Sequence, residues 1–203
     1  MTAVAKQQYY SIAEYLALEE SSAERYEYED GIIRAMSDGT INHSTLGTNM
    51  VTLLNNGANL KSKNCRPFNS DLRVRVERGN SFVYPDAMLI CGDIETSEQD
   101  PNAVTNPILV VEVLSKSTER YDRSDKFRKY CSLSSFKEYI LIDQYRPIVD
   151  ILYREDAAYW KMTSAIGLDK SFYLHTLDLE VQMVDLYKGT QKLEVPNFKM
   201  ELD

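Results

Sequence analysis

Two apolar runs in the second half of the chain indicate where a buried sheet lies. Residues 108–114 and 138–142 are almost continuously apolar, which is typical of central strands covered on both faces. Between them, residues 122–133 carry apolar side chains at helical spacing. A strand, a helix and a second strand in this order indicate an α/β domain.

Shorter elements flank this unit. Ser11 and Glu14 form a capping box that predicts a helix ending near Glu20. A turn at residues 29–31 separates two strand-like runs and predicts a hairpin. The pattern further predicts a helix over 42–60, strands over 64–68, 71–76 and 81–90, a polar loop over 92–106, a hairpin over 148–153 and 158–162, and short pieces from 171. Pro85 predicts an edge or bulge within 81–90, because proline donates no ladder hydrogen bond.

The composition is that of an ordinary globular protein. The 203 residues are 43% hydrophobic and 27% charged, so we predict a single domain over residues 1–203. There is neither a run of about 20 apolar residues nor an N-terminal signal segment, which predicts a cytoplasmic protein with no membrane partner. The widely spaced Cys65, Cys91 and Cys131 suggest reduced strand or core residues rather than a zinc site.

The net charge of −8 argues against a protein that coats nucleic acid. The charge is uneven, with seven acids and one base in residues 14–30. Residues 61–78 hold six bases and two acids, and residues 116–129 hold six bases and three acids. The basic stretches are either solvated faces or a local surface that attracts phosphate.

Asp86 and Glu112 are the first chemical candidates, because both carboxylates lie in or beside apolar strands. An ionised carboxylate is costly to bury unless it is paired or bound to a metal. If the two strands are neighbours, the carboxylates converge at one end of the sheet and suit Mg²⁺. The alternative is a strand-end acid at Asp86 and a buried ion-pair partner at Glu112.

Lys126 and Glu27 are further candidates. Lys126 follows Glu112 by 14 residues on the predicted helix, from which it would reach the acid pair and act on a water or a phosphate. The alternative is a surface lysine paired with Asp122 one turn earlier. Glu27 alternates with tyrosines in a strand-like run, and an exposed edge-strand acid is its alternative reading.

The remaining sequence features mainly exclude two kinds of site, a histidine-based metal cluster and a glycine-rich phosphate loop. His43 is either a polar residue at a helix start or a phosphate contact. Since His175 is the only other histidine, a histidine-based metal cluster is excluded. Asp71 reads as a strand-start or turn residue, and no glycine-rich phosphate loop occurs.

Several segments together resemble the Uma2 family, which is abundant in cyanobacteria and was formerly a domain of unknown function. The segments are Tyr-Pro-Asp at 84–86, Val-Glu-Val-Leu-Ser-Lys-Ser-Thr at 111–118, Asp-Arg-Ser-Asp-Lys-Phe-Arg-Lys-Tyr at 122–130 and Glu-Tyr-Ile-Leu-Ile-Asp at 138–143. Residues 26–31 and His43 also match, and the resemblance covers about residues 10–190. The family is similar to the PD-(D/E)xK restriction-endonuclease-like nucleases.

The resemblance implies an α/β fold with a mixed central β-sheet flanked by helices, an added N-terminal helix and hairpin, and C-terminal strands. It implies that Asp86 and Glu112 hold Mg²⁺ or Mn²⁺, and that Lys126 and Glu27 complete the catalytic set. The superfamily lysine usually stands two residues after the acid, where this chain has Leu114. Lys126 on the following helix fits the role of a displaced lysine.

The implied function is that of a metal-dependent endonuclease that hydrolyses phosphodiester bonds of DNA. Arg123, Lys129 and His43 would contact the nucleic acid. The 14 tyrosines, the apolar strands and the analogy with restriction enzymes suggest a homodimer. The alternative is a non-catalytic nucleic-acid- or protein-binding module on the same fold, which the −8 charge and the displaced lysine favour.

Overall fold

A computed structural model of the chain describes residues 8–36 and 39–196. Its helices are α1 (Ile12–Ser21), α2 (Ile41–Leu60), a composite helix over residues 119–130 and a last turn, Met183–Leu186. Its strands are β1 (Tyr26–Glu29), β2 (Ile32–Ala35), β3 (Cys65–Asn69), β4 (Arg73–Val76), β5 (Ser81–Val83), β6 (Ala87–Cys91), β7 (Thr96–Ser97), β8 (Asp100–Val104), β9 (Leu109–Leu114), β10 (Glu138–Asp143), β11 (Ile148–Arg154), β12 (Trp160–Ile166), β13 (Ser171–Leu174) and β14 (Leu179–Gln182). Within these residues, no helix combines the length and the apolarity needed to cross a bilayer.

The strands form two mixed sheets of six strands and a small hairpin of two. The sheet that carries Glu112 has the order β12-β11-β10-β9-β6-β3, in which β9 and β10 are parallel. The second sheet, β2-β1-β5-β4-β8-β7, includes the N-terminal hairpin. The mixed central sheet with flanking helices confirms the predicted fold class. The N-terminal hairpin is present, and its two strands belong to the second sheet.

Strand β9 is covered on both faces, as its apolar run predicts. Val111 and Val113 pack in the core beneath α2, which buries Leu46 and Met50 on the same side. Val110 and Leu114 point the other way, into the core that contains Tyr130 and Tyr139. Because side chains alternate along a strand, Glu112 faces the composite helix together with Val110 and Leu114.

Local sequence signals set the N-terminal elements. Ser11 caps α1, accepting from the Glu14 N–H at 3.3 Å, while the Glu14 carboxylate accepts from the Ser11 N–H at 2.7 Å. In the β1–β2 turn, Asp30 and Gly31 both take positive φ values of 46° and 89°. This is the turn conformation whose twist matches a two-residue hairpin, so the predicted capping box and hairpin are confirmed.

The strand predicted over residues 81–90 is interrupted in the structure. Residues 84–86 carry the chain from β5 in one sheet to β6 in the other. Pro85 stands at this crossover, where its missing N–H leaves no gap in either ladder. The prediction of one continuous strand is wrong, and the interruption leaves Asp86 between the two sheets.

The polar loop predicted over residues 92–106 is also wrong, because the chain forms β7 and β8 there. Strand β8 pairs in parallel with β4. Its first residue, Asp100, is buried and accepts from Arg73 Nε at 2.5 Å. A partner 27 residues away in sequence stabilises this polar strand, and local periodicity does not reveal such a partner.

Two of the three cysteines differ from the prediction of reduced residues. Cys65 and Cys91 face each other across β3 and β6 and form a disulfide. Cys131 is not bonded to another cysteine. The prediction that they are strand residues holds for the bonded pair, but the prediction that they are reduced is wrong for it.

Candidate active site

The predicted acids and the lysine meet in one cavity of about 620 Å³. The cavity lies at the carboxyl ends of the parallel strands β9 and β10, where α/β sheets commonly bind ligands. Its lining contains all four predicted catalytic residues and one predicted nucleic-acid contact: Glu27, Asp86, Glu112, Lys126 and His43. Four separate elements and one crossover segment supply them.

Asp86 is fixed by the end of the central strand. Its Oδ2 accepts a hydrogen bond from the Val113 N–H at 2.6 Å and lies 3.3 Å from His43 Nε2. Burial alone lowers the pKa of His43, but the hydrogen bond and the charge of Asp86 outweigh it and raise that pKa. The histidine thereby gains a proton more readily beside this carboxylate.

His43 reaches Asp86 because the start of α2 is tied to the central sheet. Thr40 caps the helix by accepting from the His43 N–H at 3.1 Å, and its hydroxyl bonds the Gln144 side chain. Gln144 in turn donates to the Leu114 carbonyl at 2.8 Å. The predicted position of His43 at a helix start is confirmed, and the residue also lines the cavity, while its contact with phosphate stays a prediction.

Glu112 is buried, with only 3% of its side chain exposed. The composite helix supplies a donor to each of its oxygens: Lys126 Nζ lies 3.1 Å from Oε2, and the Tyr130 hydroxyl lies 3.0 Å from Oε1. Burial raises the pKa of Glu112 well above its usual value. Lys126 opposes that rise, while the nearby carboxylates reinforce it.

Lys126 is the centre of the acid cluster rather than a surface lysine. Its Nζ lies 3.0 Å from Glu27, 3.1 Å from Glu112 and 3.6 Å from Asp122. Burial alone would lower the pKa of Lys126, but these carboxylates raise it well above its usual value. The predicted pairing with Asp122 is present, yet it occurs inside the cavity.

Glu27 is buried too, so its reading as an exposed edge-strand acid is wrong. One of its oxygens accepts from the Tyr84 N–H at 3.2 Å and contacts Lys126 at 3.0 Å. One rung further along β1, Glu29 pairs with Lys129 at 2.7 Å. Two acids that lie two residues apart on the strand thus pair with two lysines that lie three residues apart on the composite helix.

Two residues predicted to contact DNA are engaged elsewhere. Lys129 is buried between Glu29 and the Tyr121 hydroxyl, each at 2.7 Å. Arg123 pairs with Asp150 at 2.7 Å and with Glu119 at 2.9 Å, and it does not line the cavity. Neither cation lines the cavity, and their contact with the nucleic-acid backbone stays a prediction.

The inner part of the cavity is rich in carboxylates. Those of Glu27, Glu112 and Asp122 contact the buried Lys126, and burial raises the pKa of Asp122 as well. In the described residues, no group of three or more His, Cys, Asp or Glu side chains is arranged to hold a metal ion. The donor set is nonetheless one of hard carboxylate oxygens, the ligand type that Mg²⁺ and Mn²⁺ prefer.

Comparison with known proteins shows which family the sequence belongs to. The sequence model of Uma2, described as a putative restriction endonuclease, matches residues 12–183. The chain belongs to the Uma2 family. The resemblance carried by residues 84–86, 111–118, 122–130 and 138–143 is thereby confirmed.

Two relatives of this Uma2 chain align with it over most of their own length. The uncharacterized protein slr1290 of Synechocystis sp. is 33% identical over 176 residues, covering 87% of this chain and 90% of the relative. The uncharacterized protein sll1609 of the same organism is 32% identical over 167 residues, covering 82% and 93%. A crystal structure described as a putative nuclease belonging to DUF820, from Anabaena variabilis, matches with a TM-score of 0.70. It covers 88% of this chain and 97% of that chain at 17% identity, which shows a shared fold.

Sequence reasoning missed two buried residues in this Uma2 site. The sequence pattern marks Asp122 only as a surface partner of Lys126, and it places Tyr130 among the apolar side chains at helical spacing over residues 122–133. Their spacing of one helical turn on either side of Lys126 was the available signal. The composite helix is π-helical over Asp122–Lys126, a local form that is frequent at functional sites.

Replacing Tyr130 by phenylalanine should destabilise the protein by about 1–2 kcal/mol. The change removes a buried donor and leaves Glu112 Oε1 without this partner. Urea unfolding would show a lower midpoint at an unchanged slope. Tyr173→Phe is the matched control, because it removes a hydroxyl that bonds exposed Asp178 and should shift the midpoint little. Equal midpoints for both variants would contradict the prediction.

Proposed function

We propose that this chain is a metal-dependent endonuclease that hydrolyses phosphodiester bonds of DNA. The observation that carries the proposal is the convergence of three carboxylates on the buried Lys126, with a fourth, Asp86, in the lining of the same cavity. A purely structural ion pair needs one acid for one base. A surplus of carboxylates in a cavity is typical of a site that binds a cation and performs chemistry.

Each residue of the cluster then has a role. Asp86 and Glu112 would hold Mg²⁺ or Mn²⁺, which supplies Lewis-acid activation of a phosphate and of a bound water. Lys126 orients the attacking water and stabilises negative charge that develops on the phosphate. Glu27 and Asp122 hold the ammonium of Lys126 in place, so that its position is set before substrate arrives.

His43 has an outer role at the cavity wall. Its Nε2 is 3.3 Å from Asp86, so it orients that carboxylate and places a donor beside it. Thr40 accepts from the His43 N–H and so fixes the backbone from which the ring projects. We therefore assign His43 as a positioning residue that also faces an incoming phosphate.

Incubation with negatively supercoiled plasmid, whose underwound duplex opens single-stranded segments, tests the proposal. Wild-type protein should nick the plasmid in Mn²⁺, and removal of the metal by EDTA should abolish nicking. The Asp86→Ala/Glu112→Ala variant, checked by circular dichroism, should be inactive under both conditions. Nicking that survives in the double variant would exclude this acid pair as the centre.

Metal binding itself should be visible as stabilisation. A ligand that binds only the folded state at a hundredfold excess over its Kd adds about 2.7 kcal/mol of stability. We expect Mn²⁺ to raise the Tm of the wild-type protein and not that of the double variant. Stabilisation without cleavage would favour the alternative, a non-catalytic binding module that has kept the acids.

A further inference from the structure

The depth of the acid cluster restricts what can reach it. The side chains of Glu112 and Lys126 are only 3% and 8% exposed, and that of Asp86 is 14% exposed. A phosphate must therefore enter the cavity to approach them. The volume of about 620 Å³ is that of a small-molecule pocket, which suits one segment of a flexible chain.

A rigid duplex is poorly suited to this site. Duplex DNA is stiff, with a persistence length of about 150 base pairs, and proteins bind it largely through a cationic face that neutralises its phosphates. Here several cations of the basic stretches are already paired with carboxylates. Lys129 pairs with Glu29, Arg123 with Asp150, and Lys61 with Asp178.

The outer part of the cavity instead offers an aromatic ring beside a lysine. Tyr145 follows the end of β10, and Lys116 follows the end of β9, with its Nζ 5.2 Å from the centre of the Tyr145 ring. The backbone of Tyr145 is held by Asp143, which accepts from its N–H at 2.7 Å, and by the N–H of Glu194 at 2.8 Å. Lys116 is exposed.

An aromatic ring beside a lysine is suited to binding a single strand of nucleic acid. Any base can stack on an aromatic ring, and an adjacent cation can contact the backbone phosphate. Lys116 and Tyr145 follow the ends of two parallel neighbouring strands in the lining that also contains Asp86 and Glu112, so the phosphate of the next nucleotide would lie toward those acids.

A second cavity of about 330 Å³ has His43 and Asp86 in its wall, as the first cavity does. It lies along α2, where small and hydroxyl side chains such as Ser44, Gly47 and Thr48 form its wall. Asp86 thus borders a cavity on either side, which gives a strand space on both sides of a phosphate held there.

We propose that the DNA taken by this site is single-stranded, with a base stacked on Tyr145, its phosphate beside Lys116 and the following nucleotides along α2. This inference rests on the proposed nuclease function for its chemistry and on the cavity for its strand preference. It assigns Tyr145 and Lys116 as substrate-binding residues.

Binding of labelled oligonucleotides in Ca²⁺ tests the inference, with gels to confirm that the DNA stays intact. A single strand should bind at least about tenfold more tightly than the blunt duplex of the same sequence. Tyr145→Ala should weaken binding of the single strand by about 5- to 150-fold, the range typical of the loss of one stacked base. Tyr145→Phe keeps the ring and should bind like the wild type.

Two surface variants serve as matched controls. Tyr159 is 69% exposed and lies outside the cavity lining, so Tyr159→Ala should bind like the wild type. Lys116→Ala should lower the salt dependence of binding by about one phosphate contact, whereas Lys161→Ala, at another exposed position, should not.

The outcomes separate this inference from the nuclease proposal. Duplex binding as tight as single-strand binding, or equal affinities of Tyr145→Ala and Tyr145→Phe, would overturn the inference. Tight, Tyr145-dependent single-strand binding without cleavage in Mn²⁺ would support it and count against the nuclease. Asp86-dependent cleavage of duplex and single strand at equal rates would support the nuclease and overturn the strand preference.

Discussion

Replacing Asp86 by asparagine should reduce Mn²⁺-dependent DNA cleavage by at least about 100-fold, the cost typical of losing one preorganised charge contact at a reacting centre. Asparagine keeps the shape of the side chain and an oxygen that can accept the Val113 N–H, now 2.6 Å from Asp86 Oδ2. It lacks the negative charge that would hold a metal. The rate of plasmid nicking measures the effect.

The matched control is Asp169→Asn. Asp169 is exposed, pairs with its neighbour Lys170 and is not in the lining described for the cavity. This variant should cleave at the wild-type rate, and both variants should keep a Tm close to that of the wild type. If Asp86→Asn cleaves as fast as Asp169→Asn, Asp86 does not hold the metal.

The second large effect concerns stability. Lys126→Met should destabilise the fold by about 3–5 kcal/mol, because removal of one partner of a buried ion pair leaves carboxylates uncompensated. Glu27, Glu112 and Asp122 all lose their shared cation. The same variant should lose cleavage activity. Urea unfolding measures the loss of stability.

A double variant separates the charge from the packing. Lys126→Met/Glu112→Gln removes the most buried carboxylate along with the lysine, so it should recover a substantial part of the lost stability. If the single variant is too unstable to give a cooperative transition, return of that transition in the double variant carries the same information. Lys161→Met, at an exposed position, should leave stability near the wild-type value. A double variant less stable than Lys126→Met would contradict the argument.

These two experiments address different properties of the same cluster. Asp86 is held by a backbone N–H and by His43, outside the reach of Lys126. Its charge is therefore removable at little cost to the fold. Glu112 and Lys126 are part of the packed core between β9 and the composite helix, so their substitution affects folding as well as chemistry.

The amino-acid sequence by itself determined the local elements. The capping box at Ser11, the turn at Asp30 and Gly31, and the apolar runs of β9 and β10 all report interactions between near neighbours in the chain. The period of the apolar residues indicates which face of an element is buried. Strands and helices with a strong period were therefore predicted correctly. The family motifs likewise marked Asp86, Glu112 and Lys126 as belonging together.

Only the tertiary structure decided where the polar groups lie. Glu27 and Lys129 look like solvated charges in sequence, yet the N-terminal hairpin packs against the composite helix and buries both in ion pairs. The polar segment 100–104 becomes a strand because Arg73 of another strand neutralises Asp100. The physical reason is that burial of a charge depends on a partner from a distant part of the chain. Hydrophobic periodicity records only which face of an element is apolar, and so it does not identify that partner.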